Sequence, residues 1–193
     1  MKKQTIVIRG LMVGRFQPFH NGHLHLSKQI LQECNELIIA IGSAQFNYIY
    51  KDPFTAGERV LMIHAALMES GIDLARCYII PVINDENNAR WLGHLRSMVP
   101  HFDILYSGNE FVKSLVLEET IRIKKPEFLK KNEYNGTNIR KHLAAASAAA
   151  TATATVENWK TLVPNAVSKL IEEVDGVNRV RMLFNSDSNP QQW

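Results

Sequence analysis

Short apolar runs alternate with amphipathic stretches along most of this chain. Residues 6–13, 36–41, 77–82 and 103–106 are rich in Ile, Val and Tyr and are bounded by turn residues. Runs of that length, apolar on both faces, predict strands buried in a parallel sheet. Ile121-Arg122-Ile123 is a weaker fifth candidate. Between them, Leu24, Ser27, Ile30 and Leu31 recur at helical spacing in a segment that starts near Asn21. Thr55-Ala56-Gly57-Glu58 has the form of a capping box, and Val60, Leu61, Ile63, Leu67 and Met68 follow it as an apolar stripe. Residues 89–99 and 109–117 predict two more helices. Beyond Gly136 the pattern is helical throughout: 137–150, then 165–174 after Pro164 at a helix-start position, then 177–184.

Strand–helix alternation of this kind predicts an α/β fold. The expected form is a Rossmann-like, doubly wound parallel sheet of about five strands, with helices on both faces and a C-terminal helical segment from about 137. In such sheets ligands bind beyond the carboxyl ends of the strands, where the strand order switches. A length of 193 residues fits one domain. That domain is expected over 1–184, with 185–193 a loose polar tail. The Ala/Thr-rich stretch 144–155 reads as a fraying helical extension, since it offers neither charge nor an apolar face to bury.

The join between the first strand and the first helix carries the chemistry. It reads Gly14-Arg15-Phe16-Gln17-Pro18-Phe19-His20-Asn21-Gly22-His23. Three-residue spacing puts His20 and His23 on one face of the first helical turn. The N–H groups and positive dipole end of that turn attract an anion, and Gly22 lets a ligand approach the backbone. The join therefore reads as a phosphate cradle. Neither GxGxxG nor GxxxxGK[ST] occurs, so neither a dinucleotide fingerprint nor a P-loop is supported.

Placed after a strand and before a helix, this string resembles the nucleotidylyltransferase superfamily whose members carry an HxGH at the end of the first strand. More narrowly it is similar to the archaeal-type nicotinamide-nucleotide adenylyltransferases. Four further stretches agree, in order: Ile41-Gly42-Ser43-Ala44-Gln45; Asp52-Pro53-Phe54-Thr55-Ala56-Gly57-Glu58-Arg59; Tyr106-Ser107-Gly108-Asn109; and Tyr134-Asn135-Gly136-Thr137-Asn138-Ile139-Arg140. The resemblance covers roughly residues 5–184. It implies transfer of AMP from ATP to NMN, giving NAD and pyrophosphate, with Mg²⁺ carried on the ATP phosphates. The nucleophile would be an already ionised phosphate, so no general base is needed. Alignment of two anions and neutralisation of the leaving group do the work.

The resemblance also implies residue roles. His20, His23, Arg15 and Arg140 would be catalytic: the histidines on the ATP phosphates, Arg15 across the gap between the substrates, Arg140 on the departing pyrophosphate. Arginine's planar fork suits that last task. Gly14, Phe16, Gln17, Gly22, Ser107, Gly108, Asn109, Asn135 and Thr137 would bind ATP. Ser43, Lys51, Asn88 and Trp91 would bind NMN, Trp91 by stacking on the pyridinium ring. Asn135 stands where the family has a serine, and Asn47-Tyr48 where it often has Ser-His. Family members often form hexamers, so a homo-oligomer is expected.

Composition narrows the alternatives. Apolar residues make up 46% of the chain, enough for a substantial core, and 22 basic against 19 acidic residues leave only +3. That balance does not point to nucleic acid as the partner. Cys34 and Cys77, the two cysteines, belong to no CxxC or Cys/His cluster and read as buried free thiols. No signal peptide and no run of about 18 apolar residues is visible, so a cytoplasmic, membrane-free enzyme is expected. Two other readings remain: transfer to another phosphate, such as phosphopantetheine, a flavin mononucleotide or glycerol phosphate; and a non-catalytic nucleotide-sensing or RNA-binding module. Arg15, His20, His23 and Arg140, all intact, weigh against the second.

Overall fold

The structure, a computed structural model, describes residues 6–116, 121–127, 129–130, 132–146 and 158–186. Among these residues five strands form one parallel sheet: β1 (Arg9–Gly14), β2 (Glu36–Ile41), β3 (Cys77–Pro81), β4 (Ile104–Tyr106) and β5 (Arg122–Lys124), in the order β3-β2-β1-β4-β5. The chain winds outward from β1 in one direction and then in the other. The order therefore switches beside β1, and the carboxyl end of β1 opens at that switch.

Alternate residues of each strand supply the two faces. Met12, Ile39 and Ile41 join a core closed by α1 (Asn21–Glu33), α2 (Ala56–Glu69), α5 (Gly136–Ala145), α6 (Asn158–Leu162), α7 (Asn165–Glu173) and α8 (Gly176–Asn185). Leu11, Ile38 and Leu105 join a second core under α3 (Trp91–Met98) and α4 (Glu110–Ser114). The α/β arrangement with helices on both faces is the one the alternation predicts, down to the bounds of β2. Among the described residues no helix is long and apolar enough to cross a membrane.

The differences have physical causes. The first strand starts at Arg9, not residue 6, where Arg9 pairs with Glu36 in the ladder and by a 2.6 Å ion pair; Ile6 before it is 82% exposed. The α2 stripe is narrower than expected. Met62, Ile63, Ala66 and Leu67 face the core, while Leu61 and Met68 point outward. Cys34 is buried, but Cys77 lies on edge strand β3 and is only half-buried, though its surroundings still push the thiol up to about 11. The short α6 was not predicted. The expected 137–150 helix runs to Ala145, and most of the Ala/Thr-rich stretch and of the tail lies outside the described residues.

Gly10, mid-strand in β1, pairs with both neighbours. A Cβ there would come within 2.4 Å of Ile30 Cγ2 and 3.0 Å of Cys34 Sγ, both fixed by the core. Gly10→Ala is therefore expected to destabilise the protein by about 1–3 kcal/mol, the usual cost of overpacking, as read from urea denaturation midpoints.

Candidate active site

The β1–α1 join is shaped by Phe16, whose φ of 51° is the left-handed backbone that side chains rarely adopt. The next residue is pinned. Gln17 is buried; its Nε2 donates to the Phe54 carbonyl at 2.9 Å and its Oε1 accepts from the Phe54 amide at 3.0 Å. The join is thereby tied to the segment that leads into α2.

His20 and His23 cap α1 reciprocally. His20 Nδ1 accepts from the His23 amide and His23 Nδ1 from the His20 amide, each at 3.3 Å. A neutral imidazole that accepts at Nδ1 carries its proton on Nε2. Both rings are thus oriented donors, stacked with centroids 3.5 Å apart, and the Phe16 ring packs T-shaped on His23 at a centroid distance of 4.7 Å. Burial pushes His20 down to about 3; burial and then the neighbouring His20 push His23 well below its ordinary value. Without a ligand the pair is uncharged at neutral pH. His20 and His23 therefore act as neutral N–H donors before any anion arrives, and fixed positive charge must come from arginines.

Three arginines supply it. Arg15, 43% exposed in its side chain, places Nη1 3.5 Å from Asp52 Oδ2. Arg140, on α5, is buried: its Nη1 donates to the Gln17 carbonyl at 2.8 Å and its Nη2 to Thr137 Oγ1 at 3.3 Å. Arg59, on α2, is wholly buried and donates to four carbonyls, those of Thr55, Arg15, Gly42 and Ser43. Desolvation lowers the pKa of both buried guanidiniums, with Asp52 opposing the shift in each; they stay charged.

Two cavities open at the carboxyl ends of the strands. The larger, about 600 Å³, is lined by Arg15, Phe16, Gln17, His20, Gly22 and His23 from the join and by Asn135, Gly136, Thr137 and Arg140 from the start of α5. A Cβ on Gly22 would sit 3.1 Å from Tyr134 and 3.2 Å from the His20 ring, so the two walls meet there at backbone distance. The smaller, about 290 Å³, is lined by Gly14, Ser43, Asn84, Asn88 and Trp91, with Phe111 and Val112 from α4. Arg15 lines both. A further cavity of about 670 Å³ lies at the amino ends of β1 and β4, away from all of these residues.

The structure brings some of the expected residues to these cavities and not others, and engages the side chains of Gln17 and Asn135 within the fold. Gly14 faces the smaller cavity, not the larger. Gln17 lines the larger one, but its amide is committed to Phe54, so it sets the loop. Asn135 caps α5, accepting from the Asn138 amide at 2.8 Å and donating to the Asn132 carbonyl. Ser107, Gly108 and Asn109 line neither cavity: Ser107 Oγ accepts from the Asn109 amide, and Asn109 caps α4. Lys51 is exposed and lines neither, while its neighbour Asp52, in the Ile49–Asp52 bridge, is buried. Asp52 and Arg59, though within a stretch that carries the resemblance, and Asn84 were given no site role by the sequence. Asn84 holds Ser43 at both its amide and its Oγ. Arg59 had left a signal, since it stands in helical phase with Ile63 and Leu67, a charge on the apolar face.

The cytidylyltransferase-like family model matches residues 11–142. The nicotinamide-nucleotide adenylyltransferase of Caldivirga maquilingensis is 43% identical over 187 residues, covering 97% of this chain and all of the relative. That of Picrophilus torridus is 44% identical over 180 residues, covering 93% and 99%. A bifunctional NMN adenylyltransferase/ADP ribose pyrophosphatase from Francisella tularensis shares the fold, with a TM-score of 0.69 at 21% identity; 96% of this chain spans 58% of that longer one.

The depressed histidines predict a pH dependence. A histidine neutral in the folded state and protonated in the unfolded one costs stability as pH falls below about 6.5. For His20 the loss continues to about 3, at on the order of 1 kcal/mol per pH unit. His20→Asn keeps a side chain able to cap and is expected to flatten the slope between pH 6.5 and 5, measured by urea unfolding of the unliganded protein.

Proposed function

This chain belongs to the cytidylyltransferase-like family, among the nicotinamide-nucleotide adenylyltransferases, and from that premise we propose how it transfers AMP from ATP to NMN, giving NAD and pyrophosphate. The NMN phosphate attacks the ATP α-phosphorus directly and in line. The observation that carries this reading is the position of Arg15, which lines both cavities and so stands where two phosphates would meet. ATP takes the larger cavity, where two imidazole N–H donors and Arg140 converge. NMN takes the smaller one, its ring against Trp91 and its amide within reach of Asn88.

His20 and His23 donate from Nε2 to the α- and β-phosphate oxygens, and charge growing on the pentacoordinate phosphorus strengthens both bonds. Their neutral state suits donors that take no proton from the nucleophile. Arg140, held rigid by Gln17 and Thr137, stabilises the departing pyrophosphate. Magnesium would be carried on the nucleotide and would neutralise phosphate charge there; among the described residues no group of three or more His, Cys, Asp or Glu could hold the ion. The same reading makes the protein a cytoplasmic homo-oligomer, a hexamer by family resemblance.

Purified protein incubated with ATP, Mg²⁺ and NMN is expected to form NAD, detected by chromatography. His23→Ala is expected to lower kcat by about 10²–10³, as loss of a transition-state donor does. Trp91→Ala is expected to raise KM for NMN about tenfold and leave KM for ATP nearly unchanged. No NAD, with flavin mononucleotide or phosphopantetheine consumed instead, overturns the reading.

A further inference from the structure

We propose that Asp52 is a positioning residue for this reaction: its carboxylate tethers Arg15 at the junction of the two cavities and yields it to phosphate when the substrates bind. The inference rests on the activity proposed above.

The carboxylate is placed by the backbone and not by its own flexibility. Asp52 closes the Ile49–Asp52 bridge through its main chain, its amide donating to the Ile49 carbonyl at 2.9 Å, and the residue is 3% exposed. The C-terminal helix braces the same loop from behind. Arg179 grips Glu58 at 2.7 and 2.9 Å, donates to the Pro53 carbonyl at 3.3 Å and lies 4.8 Å from the Tyr48 ring. Pro53 cannot relax without disturbing this brace, so its neighbour Asp52 is held as well.

What faces the carboxylate is positive. Arg15 lies at 3.5 Å, and the guanidiniums of Arg59 and Arg140 are near enough to feel its charge. Two of these three have their place fixed by other bonds: Arg59 by four carbonyls, Arg140 by Gln17 and Thr137. Arg15 alone of the three is substantially exposed, and its ion pair with Asp52 is at the long end of the range. One carboxylate among three guanidiniums leaves the site positive. It also keeps a flexible side chain from straying into solvent. A phosphate offers Arg15 a shorter, bidentate partner with more charge, so the loose 3.5 Å contact is the one that exchanges. Asp52 Oδ1 is buried with no hydrogen-bond partner among the described residues, as is Arg140 Nε, so the group is not locked into a saturated network.

Asp52→Asn separates tethering from support, because it keeps the side-chain volume and the main-chain bridge while removing the charge. The tether predicts that kcat for NAD formation falls about tenfold while KM for ATP and for NMN stays within about twofold or decreases, since a negative charge has left an anion site. Pyrophosphate, used alone as a calorimetric probe, should bind several-fold more tightly to D52N than to the parent. An effect exerted through Arg15 must also be non-additive: Arg15→Ala with Asp52→Asn should have the kcat of Arg15→Ala alone. A wild-type kcat in D52N overturns the proposal, as do a rise in either KM, unchanged or weaker pyrophosphate binding, or losses that multiply in the double variant. A drop in thermal midpoint with weaker binding of all ligands would mean that Asp52 only supports the loop. If the parent makes no NAD, the assigned activity fails, and the pyrophosphate measurement still decides whether Asp52 competes with anions.

Discussion

Arg59 donates four hydrogen bonds to main-chain carbonyls drawn from three separate segments: Thr55 at the start of its own helix, Arg15 beyond β1, and Gly42 with Ser43 beyond β2. Its side chain is wholly buried. Taking a guanidinium out of water is costly, and only dense hydrogen bonding offsets it. Here the compensation comes from backbone dipoles at the carboxyl ends of two adjacent strands, with Asp52 and Glu58 near enough to contribute. Two of the carbonyls belong to or directly precede strained residues, Ser43 at φ 53° and Phe16 at φ 51°. Each left-handed residue costs on the order of 1–2 kcal/mol. Arg59 helps hold both turns, and those turns decide where Arg15 and the amide of Ser43 point. Lysine has neither the fork nor the reach to satisfy carbonyls on three sides.

Two kinds of hydrogen-bond donor result, one neutral and one charged. The histidines are neutral without a ligand, fixed in tautomer and in plane by the amides they cap, so in the proposed reaction they would gain hydrogen-bond strength as negative charge develops. The arginines are charged throughout and supply the long-range attraction. The arginines differ among themselves. Arg59 spends its donors on the backbone and shapes the site; Arg140 spends some and keeps others; Arg15 has the most freedom and sits between the cavities. Of the three, Arg15 is therefore the one whose partner would change in the proposed reaction.

Much of this was legible in the sequence, for reasons that can be stated residue by residue. Burial on both faces leaves a plain signature, so β2 was readable from its own composition. Thr55 and Glu58 announce the start of α2 because a capping box is local in sequence. The ordered motifs located the site at the strand ends. Which polar atoms remain available for a ligand was not legible, because that depends on partners far away. The amide of Gln17 is taken by Phe54, 37 positions later. Asn135 and Asn109 are taken by helix starts that each create four N–H groups in need of acceptors. Lys51 and Asp52 are adjacent and both polar, yet Lys51 is exposed and Asp52 is buried, a difference the sequence does not mark. The likeness to known enzymes named segments that gather at the strand ends, but not which of their polar atoms are already bonded within the fold.

That distinction extends past the stretch that the family model matches, which ends at 142. The loop carrying Asp52 is backed by α8, through Arg179 on Pro53 and Glu58 and through Phe184 against Tyr50 at 5.1 Å. Gly176 lies so close to Phe54 that a Cβ would come within 2.8 Å of its ring. Phe54 is the residue whose backbone fixes Gln17, and Gln17 offers its carbonyl to Arg140. A continuous path of contacts thus runs from the C-terminal helix through Phe54 and Gln17 to the arginine proposed to hold pyrophosphate. The sheet edge by itself supplies the histidines and their donors; the helices after 158 supply the rigidity that keeps Asp52, Gln17 and Arg140 in register with them. The proposed transfer would depend on alignment more than on any reactive group, so helices that line neither cavity would still set its geometry.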